Sequence, residues 1–122
     1  MPLSGREAAL TALGRFRKSG MMSENALDSV ISGRGVEKRE AALAARLFYG
    51  VIQRLYFYDA VILEFSTVPQ SRIHPSVFDI LRLTCCQLLD FDRIPDFSAV
   101  DECVRLCRKI QPKAAGFVNA VS

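Results

Sequence analysis

Apolar residues recur three and four positions apart along almost all of this 122-residue chain, and no segment alternates apolar and polar residues between turn residues. That pattern leaves little room for a sheet. It predicts an all-α protein, a compact bundle of six or seven helices forming one domain over residues 1–122. The length suffices for one domain with a proper core. Half of the residues are hydrophobic and 24% are charged, an ordinary globular balance. No apolar run approaches the ~18 residues of a membrane span. The opening MPLSGREAAL has no basic region followed by a long apolar stretch, so no secretory signal is visible. The expectation is a cytoplasmic protein with no membrane partner.

Helix punctuation divides the chain. Ser4 and Glu7 form a capping box, Ala9, Leu13 and Phe16 make an apolar stripe, and Gly20 closes the segment. Arg6 and Arg17, eleven residues apart, fall on one flank of that helix. Ser23 is placed to cap a short second helix carrying Leu27, Val30 and Ile31 and ended by Gly33. From about Val36 a long segment sets Leu43, Leu47, Val51 and Leu55 in one row with Ala44, Phe48 and Ile52 beside it, and reads as the central core helix. Gly50 and the run Tyr56, Phe57, Tyr58 predict a break near residue 54, with Val61, Ile62 and Phe65 in the next helix. Pro75 suits the first position of a further helix that buries Val77, Ile80, Leu81, Cys85 and Leu88. A loop from Asp90 to Phe97 precedes a helix starting at Ser98, with Val100, Val104 and Leu106 or Cys107 facing inward and Pro112 ending it. Residues 113–121 read as helical again. Their apolar face runs to Ser122 without a C-cap, which predicts an N-terminal fragment of a longer protein.

No catalytic constellation emerges. The single histidine, His74, precedes Pro75 in a connection and reads as a turn residue. Gly33-Arg34-Gly35 lacks both a preceding strand and a third glycine, so it is not a dinucleotide loop. Cys103 and Cys107 share a helix face that Cys85 could approach, but no short Cys-x-x-Cys knuckle of a zinc site is present. Free cysteines of this kind are more often small core residues. The reading assigns this chain no catalytic, cofactor or metal site.

Charge is more informative. The first 54 residues hold nine Lys/Arg against five Asp/Glu, residues 55–104 three against eight, and the last 18 four against none. Basic ends around an acidic centre suit phosphate on one side and a basic partner on the other, or are ordinary solvated helix faces that do not cluster once folded. Arg outnumbers Lys twelve to four, which favours bidentate phosphate contacts and stacking on bases. Arg6, Arg15, Arg17 and Lys18 crowd the first helix, and Arg34, Lys38, Arg39 and Arg46 follow near the start of the long one. These eight are the candidate RNA-binding residues, since looped or single-stranded RNA is read by guanidinium groups together with aromatic platforms. Tyr49 and Tyr56, seven apart, could form a platform on one helix, but beside a core stripe they read as buried. The acidic loop of Asp90, Asp92 and Asp96 with Phe91 or Phe97 would suit a protein partner, or serve as a solvated connection.

Several stretches together resemble the NusB-like helical RNA-binding domain: Leu81-Arg82-Leu83, Gln87-Leu88-Leu89, Arg93-Ile94-Pro95, Ala99-Val100, Glu102 and Phe117-Val118-Asn119. Arg6-x-x-Ala9, Ala41, Ala45 and Leu47-Phe48-Tyr49-Gly50-Val51 extend the similarity over most of the chain. Gly50-Val51 followed by Arg54 looks like the branch found in the RsmB (Sun/Fmu) type of 16S rRNA cytosine-5 methyltransferases. The resemblance implies a NusB-like bundle that binds RNA, here 16S rRNA, and docks it for a downstream catalytic domain. S-adenosylmethionine and the catalytic cysteines would belong to that domain, so this chain would transfer no methyl group itself. Only Arg6 carries over as an RNA-contacting position, and Glu102 and Asn119 match positions that tie helix ends together. The chain lacks the denser N-terminal arginine run of the stand-alone antitermination factor, which binds RNA and a small ribosomal protein. That factor is the alternative reading, and a helical protein-binding adaptor acting through the acidic centre is the third.

Overall fold

Local capping chemistry decides where the first helix begins, and tertiary contact decides where it lies. The computed structural model describes residues 3–20, 23–66, 68–91 and 96–110. Among these the chain forms six α-helices and one 3-10 turn (Gln70–Arg72), with no strand. The helices are α1 (Gly5–Ser19), α2 (Ser23–Gly33), α3 (Lys38–Gln53), α4 (Leu55–Phe65), α5 (Pro75–Asp90) and α6 (Asp96–Ile110). They group into two compact units, Met1–Gln53 and Arg54–Ser122.

In the N-terminal unit the capping box forms as expected. Ser4 Oγ accepts from the Glu7 backbone N–H and Glu7 Oε1 accepts from that of Ser4, both at 3.2 Å. Gly20 ends α1 in the left-handed conformation at φ 65°, which costs glycine least. The buried stripe of α1 is made of small residues, Gly5, Ala8, Ala9 and Ala12, with Leu10 and Leu13. Small side chains let the two backbones approach closely. The Gly5 N–H donates to Glu40 Oε2 at 2.9 Å, and a Cβ on Gly5 would stand 2.9 Å from both the Glu40 carbonyl oxygen and Leu43 Cβ. Further along, Phe16 meets Phe48 edge-on with ring centroids 6.2 Å apart. The contacts follow the same order along both helices, so α1 and α3 run in the same sense. The hairpin through α2 makes this possible and buries Ala26, Leu27 and Val30. Ala44, Leu47, Phe48 and Val51 form the buried row of α3. Each large side chain there contributes about 1.5–3 kcal/mol of apolar burial.

In the C-terminal unit α5 is enclosed around most of its circumference, packing against both α4 and α6. Pro75 takes the first helical position, and His74 acts as N-cap, its Nδ1 accepting from the Ser76 N–H at 3.1 Å. Tyr58 and Ile62 from α4 and Cys103, Val104 and Cys107 from α6 complete the described core.

The structure corrects several expectations. The chain breaks at Arg54 as anticipated, so Leu55 opens α4 instead of extending the row of α3. α3 keeps one solvated face, and α5 is the more enclosed helix. Cys86, not Cys85, is the fully buried member of the cysteine pair. α6 begins at Asp96, two residues before Ser98. The predicted helix over residues 113–121, its abrupt end, and the Arg93-Ile94-Pro95 and Phe117-Val118-Asn119 matches lie outside the described residues.

The Gly5 contact is directly testable. Gly5→Ala forces a methyl against a backbone carbonyl, and chemical denaturation should register a loss of about 1–3 kcal/mol. Gly14→Ala is the control. Its only near neighbour is the tip of Arg17 at 3.9 Å, so ordinary helix propensity should leave stability equal or higher.

Candidate nucleic-acid interface

All eight basic candidates fall in the N-terminal unit, and the structure sorts them. At about 100° per residue, Arg6 and Arg17 lie about 20° apart on one flank of α1, and Arg15 faces the other way. Arg15 Nη1 donates to Ser29 Oγ at 2.9 Å, so its guanidinium braces α1 against α2. Arg6 and Arg17 are half-buried beside the stripe that packs on α3, and Lys18 is exposed in the last turn. Arg39 and Arg46, seven residues apart, occupy the exposed face of α3 opposite its buried row, with Lys38 exposed in the first turn. Arg34 is exposed in the turn after α2.

The acidic residues of this unit are distributed unevenly. Glu7 and Glu40 are turned onto the N-terminus of α1, where their oxygens accept from the Ser4 and Gly5 N–H groups. The exposed carboxylates are Glu24, Asp28 and Glu37, against exposed Lys18, Arg34, Lys38, Arg39 and Arg46. The described surface of this unit is therefore cationic.

Several charged groups of the C-terminal unit are held in pairs within it. Arg82 reaches Asp59 on α4 through Nε at 2.6 Å and its Nη2 at 2.9 Å, and Asp79 through Nη1 at 2.9 Å, with its guanidinium 4.5 Å from the Phe78 ring centroid. Asp79 is only 2% exposed, so this network is a structural tie between α4 and α5. Asp90 closes a second cluster. It accepts from the Tyr58 hydroxyl and pairs with Arg54, which lies over the Phe57 ring at 4.2 Å. Burial first, and then Asp90, push the Tyr58 phenol far above its ordinary range. Asp90 thus has internal partners; Asp92 and the Asp96 and Phe97 side chains of the proposed acidic docking loop lie outside the described residues. Glu102 pairs with Arg105 along α6 at 3.9 Å.

The aromatic reading is overturned. The break at Arg54 puts Tyr49 and Tyr56 on different helices, so their seven-residue spacing does not make one platform. Tyr49 is half-buried beside Phe48, at 5.2 Å between ring centroids. Tyr56, expected in the core, is 86% exposed, and Tyr58 takes the interior position instead. An apolar cleft of about 240 Å³ also lies along α4 and α5, rimmed by exposed Phe65 and Leu89. Periodicity does carry a signal for Tyr56: counted at about 100° per residue from the buried Val51, Tyr58 falls on the inner row and Tyr56 well away from it.

Among the described residues no group of three potential ligands gathers as a metal site. Cys103 and Cys107 are buried, and Gln87 Nε2 contacts Cys103 Sγ at 3.6 Å. No described helix is long and apolar enough to cross a membrane.

The six helices and the cationic N-terminal unit define an all-α domain, and comparison with known proteins identifies its family. Residues 4–121 match the NusB family, and the chain belongs to that family. It is 32% identical over 119 residues to the probable ribosomal RNA small subunit methyltransferase B of Bacillus subtilis, covering 97% of this chain and 26% of that protein. A putative methyltransferase of Mycobacterium tuberculosis is 32% identical over 117 residues, covering 95% and 25%. The transcription antitermination protein NusB of Dictyoglomus thermophilum is 34% identical over 82 residues, covering 66% and 57%. The chain thus spans about a quarter of the length of the methyltransferase relatives.

The thiols offer a pH test of this packing. Burial, followed by the neighbouring Cys86, Asp59 and Cys103, raises Cys85 from 9.0 to about 11. The folded chain holds this proton more tightly than the unfolded one. Its contribution to stability is therefore complete below about pH 9 and is lost as pH rises toward about 11. Alkylation of native Cys85 should be slow near neutrality and gain about tenfold per pH unit up to that value, followed by mass spectrometry.

Proposed function

We propose that this chain is the RNA-docking domain of a ribosomal RNA methyltransferase, residues 4–121 acting as one NusB-type domain. The cationic flank and faces of α1 and α3 carry the reading, in a family member whose full-length relatives are named as methyltransferases. Arg6 and Arg17 present guanidinium groups along one flank, and Lys18, Lys38, Arg39 and Arg46 add exposed charge. Guanidinium forks meet phosphate oxygens in bidentate fashion, release condensed counterions and hold the strand in place without reading its sequence. The target is rRNA, 16S by relationship to the small-subunit enzyme. S-adenosylmethionine and the methyl-transfer step belong to a downstream catalytic domain, and this domain contributes substrate position only. The setting is cytoplasmic, where ribosomal RNA is matured.

The similarity to an antitermination protein supports a second reading, a stand-alone factor that binds RNA and a ribosomal protein. The two separate on the full coding sequence: a Rossmann-like domain of ~200 or more residues continuing the chain favours the methyltransferase. A helical adaptor that binds only protein is separated from both by RNA binding itself.

Binding of a single-stranded rRNA fragment, measured across a salt series, tests the proposal. Affinity should fall with a log–log slope of about −0.7 for each phosphate neutralised. Replacing Arg6, Arg17 and Lys18 together with Ala should lower affinity at least about tenfold, or about 1.4 kcal/mol, and flatten the slope, with thermal unfolding nearly unchanged. A large loss of stability would instead assign those side chains to the fold, and no binding at low salt would leave the adaptor.

A further inference from the structure

We infer that Tyr56 and Phe57, with the Arg54 guanidinium stacked on Phe57, form a base-stacking platform for single-stranded RNA at the start of α4. The inference rests on the RNA-docking reading but uses different residues and a different force. Tyr56 is 86% exposed and Phe57 45% exposed in the first turn of the helix. Exposed aromatic rings at adjacent positions are poor for a domain that could bury them, and this one does bury the next residue, Tyr58.

The neighbouring groups fix the arrangement. Arg54 lies 4.2 Å over the Phe57 centroid and 5.8 Å from that of Tyr58. Asp90 pairs with the same guanidinium and accepts from the Tyr58 hydroxyl, so the planar cation is held from two sides. Phe57 and Tyr58 are themselves 5.8 Å apart. Two consequences follow. The Phe57 ring and the guanidinium plane are ordered before any ligand arrives, which lowers the entropic cost of stacking. Arg54 is also neutralised by Asp90, so the platform attracts the π-face of a base more than a phosphate. Two exposed rings and one guanidinium plane suit the faces of one or two bases. Phe65, on the rim of the apolar cleft, lies nine residues beyond Tyr56 and half a turn round α4, so it belongs to a separate feature.

Because the platform works by stacking and the α1 surface by charge, their effects on binding differ in kind. In the full chain, Tyr56→Ala should weaken binding of a short oligoadenylate by on the order of tenfold and leave the salt slope unchanged. Tyr56→Phe should bind as the unaltered chain does. The chain contains no tryptophan, so Tyr56→Trp introduces a single indole reporter. Its emission should be quenched on titration with oligoadenylate, and less strongly with oligouridylate. Unaltered affinity in Tyr56→Ala, or constant indole emission in Tyr56→Trp while RNA binds, overturns the platform and leaves the charge-based docking intact. Loss of affinity in Tyr56→Ala together with full affinity in the Arg6, Arg17 and Lys18 triple variant would keep the platform and overturn the role given to α1.

Discussion

The contact between Gly5 and Glu40 governs the N-terminal unit. A backbone donor at the first turn of α1 meets a carboxylate on α3, at a point where no side chain can intervene. Three consequences arise from that one approach. It satisfies an N–H that the helix itself leaves without a partner. It puts a negative group at the positive end of the α1 dipole. It also sets Arg6, the next residue, beside the α1–α3 seam and fixes the rotation of the whole helix, so that Arg17 comes up on the same flank three turns later. The cationic flank is then a consequence of helix packing, since the same stripe of Gly5, Ala8, Ala9 and Ala12 that permits the close approach determines which flank of α1 Arg6 and Arg17 occupy.

Much of this is legible in the residues because it is local. Ser4 and Glu7 announce a capping box, Gly20 a left-handed end and Pro75 a first turn, and each needs only a few neighbours to act. The break at Arg54 is legible too. Counted on from the buried row of α3, Tyr58 falls on the inner side and Tyr56 on the outer, so placing Tyr56 in the core followed its aromatic character and not its spacing. α5 is hidden for a different reason. Asp79, Thr84 and Gln87 read as polar letters of a solvated face, yet all three are buried. Thr84 Oγ1 donates to the Ile80 carbonyl at 2.9 Å, Gln87 Nε2 donates to that of Leu83 at 3.0 Å, and Asp79 accepts from Arg82. A polar letter satisfied within its own helix gives no sign of burial to a periodicity argument.

The candidate site divides along the same line. Arg6 and Arg17 can be placed on one flank by counting residues, because α1 is one unbroken helix capped at both ends. Arg15 looks equivalent in sequence, but only the structure reveals the Ser29 hydroxyl that holds it between α1 and α2. The two units also treat charge differently. The N-terminal unit directs Glu7 and Glu40 inward onto a helix end and leaves cations outside. The C-terminal unit pairs Arg82 and Arg54 with Asp59, Asp79 and Asp90, and keeps those charges within its own structure. An acidic composition over residues 55–104 therefore does not translate into an acidic surface of equal strength.

The central claim is that the Arg6 and Arg17 flank of α1 and the solvated face of α3 meet RNA. Amide chemical-shift mapping tests it most directly: an isotope-labelled chain titrated with a short single-stranded rRNA fragment at low salt. The account predicts that the largest progressive shifts fall around Arg6, Arg17 and Lys18 and along Lys38 to Arg46, with Ala8, Ala12 and Leu47 little changed. Saturating shifts confined to α5 and α6, with α1 and α3 silent, would contradict it.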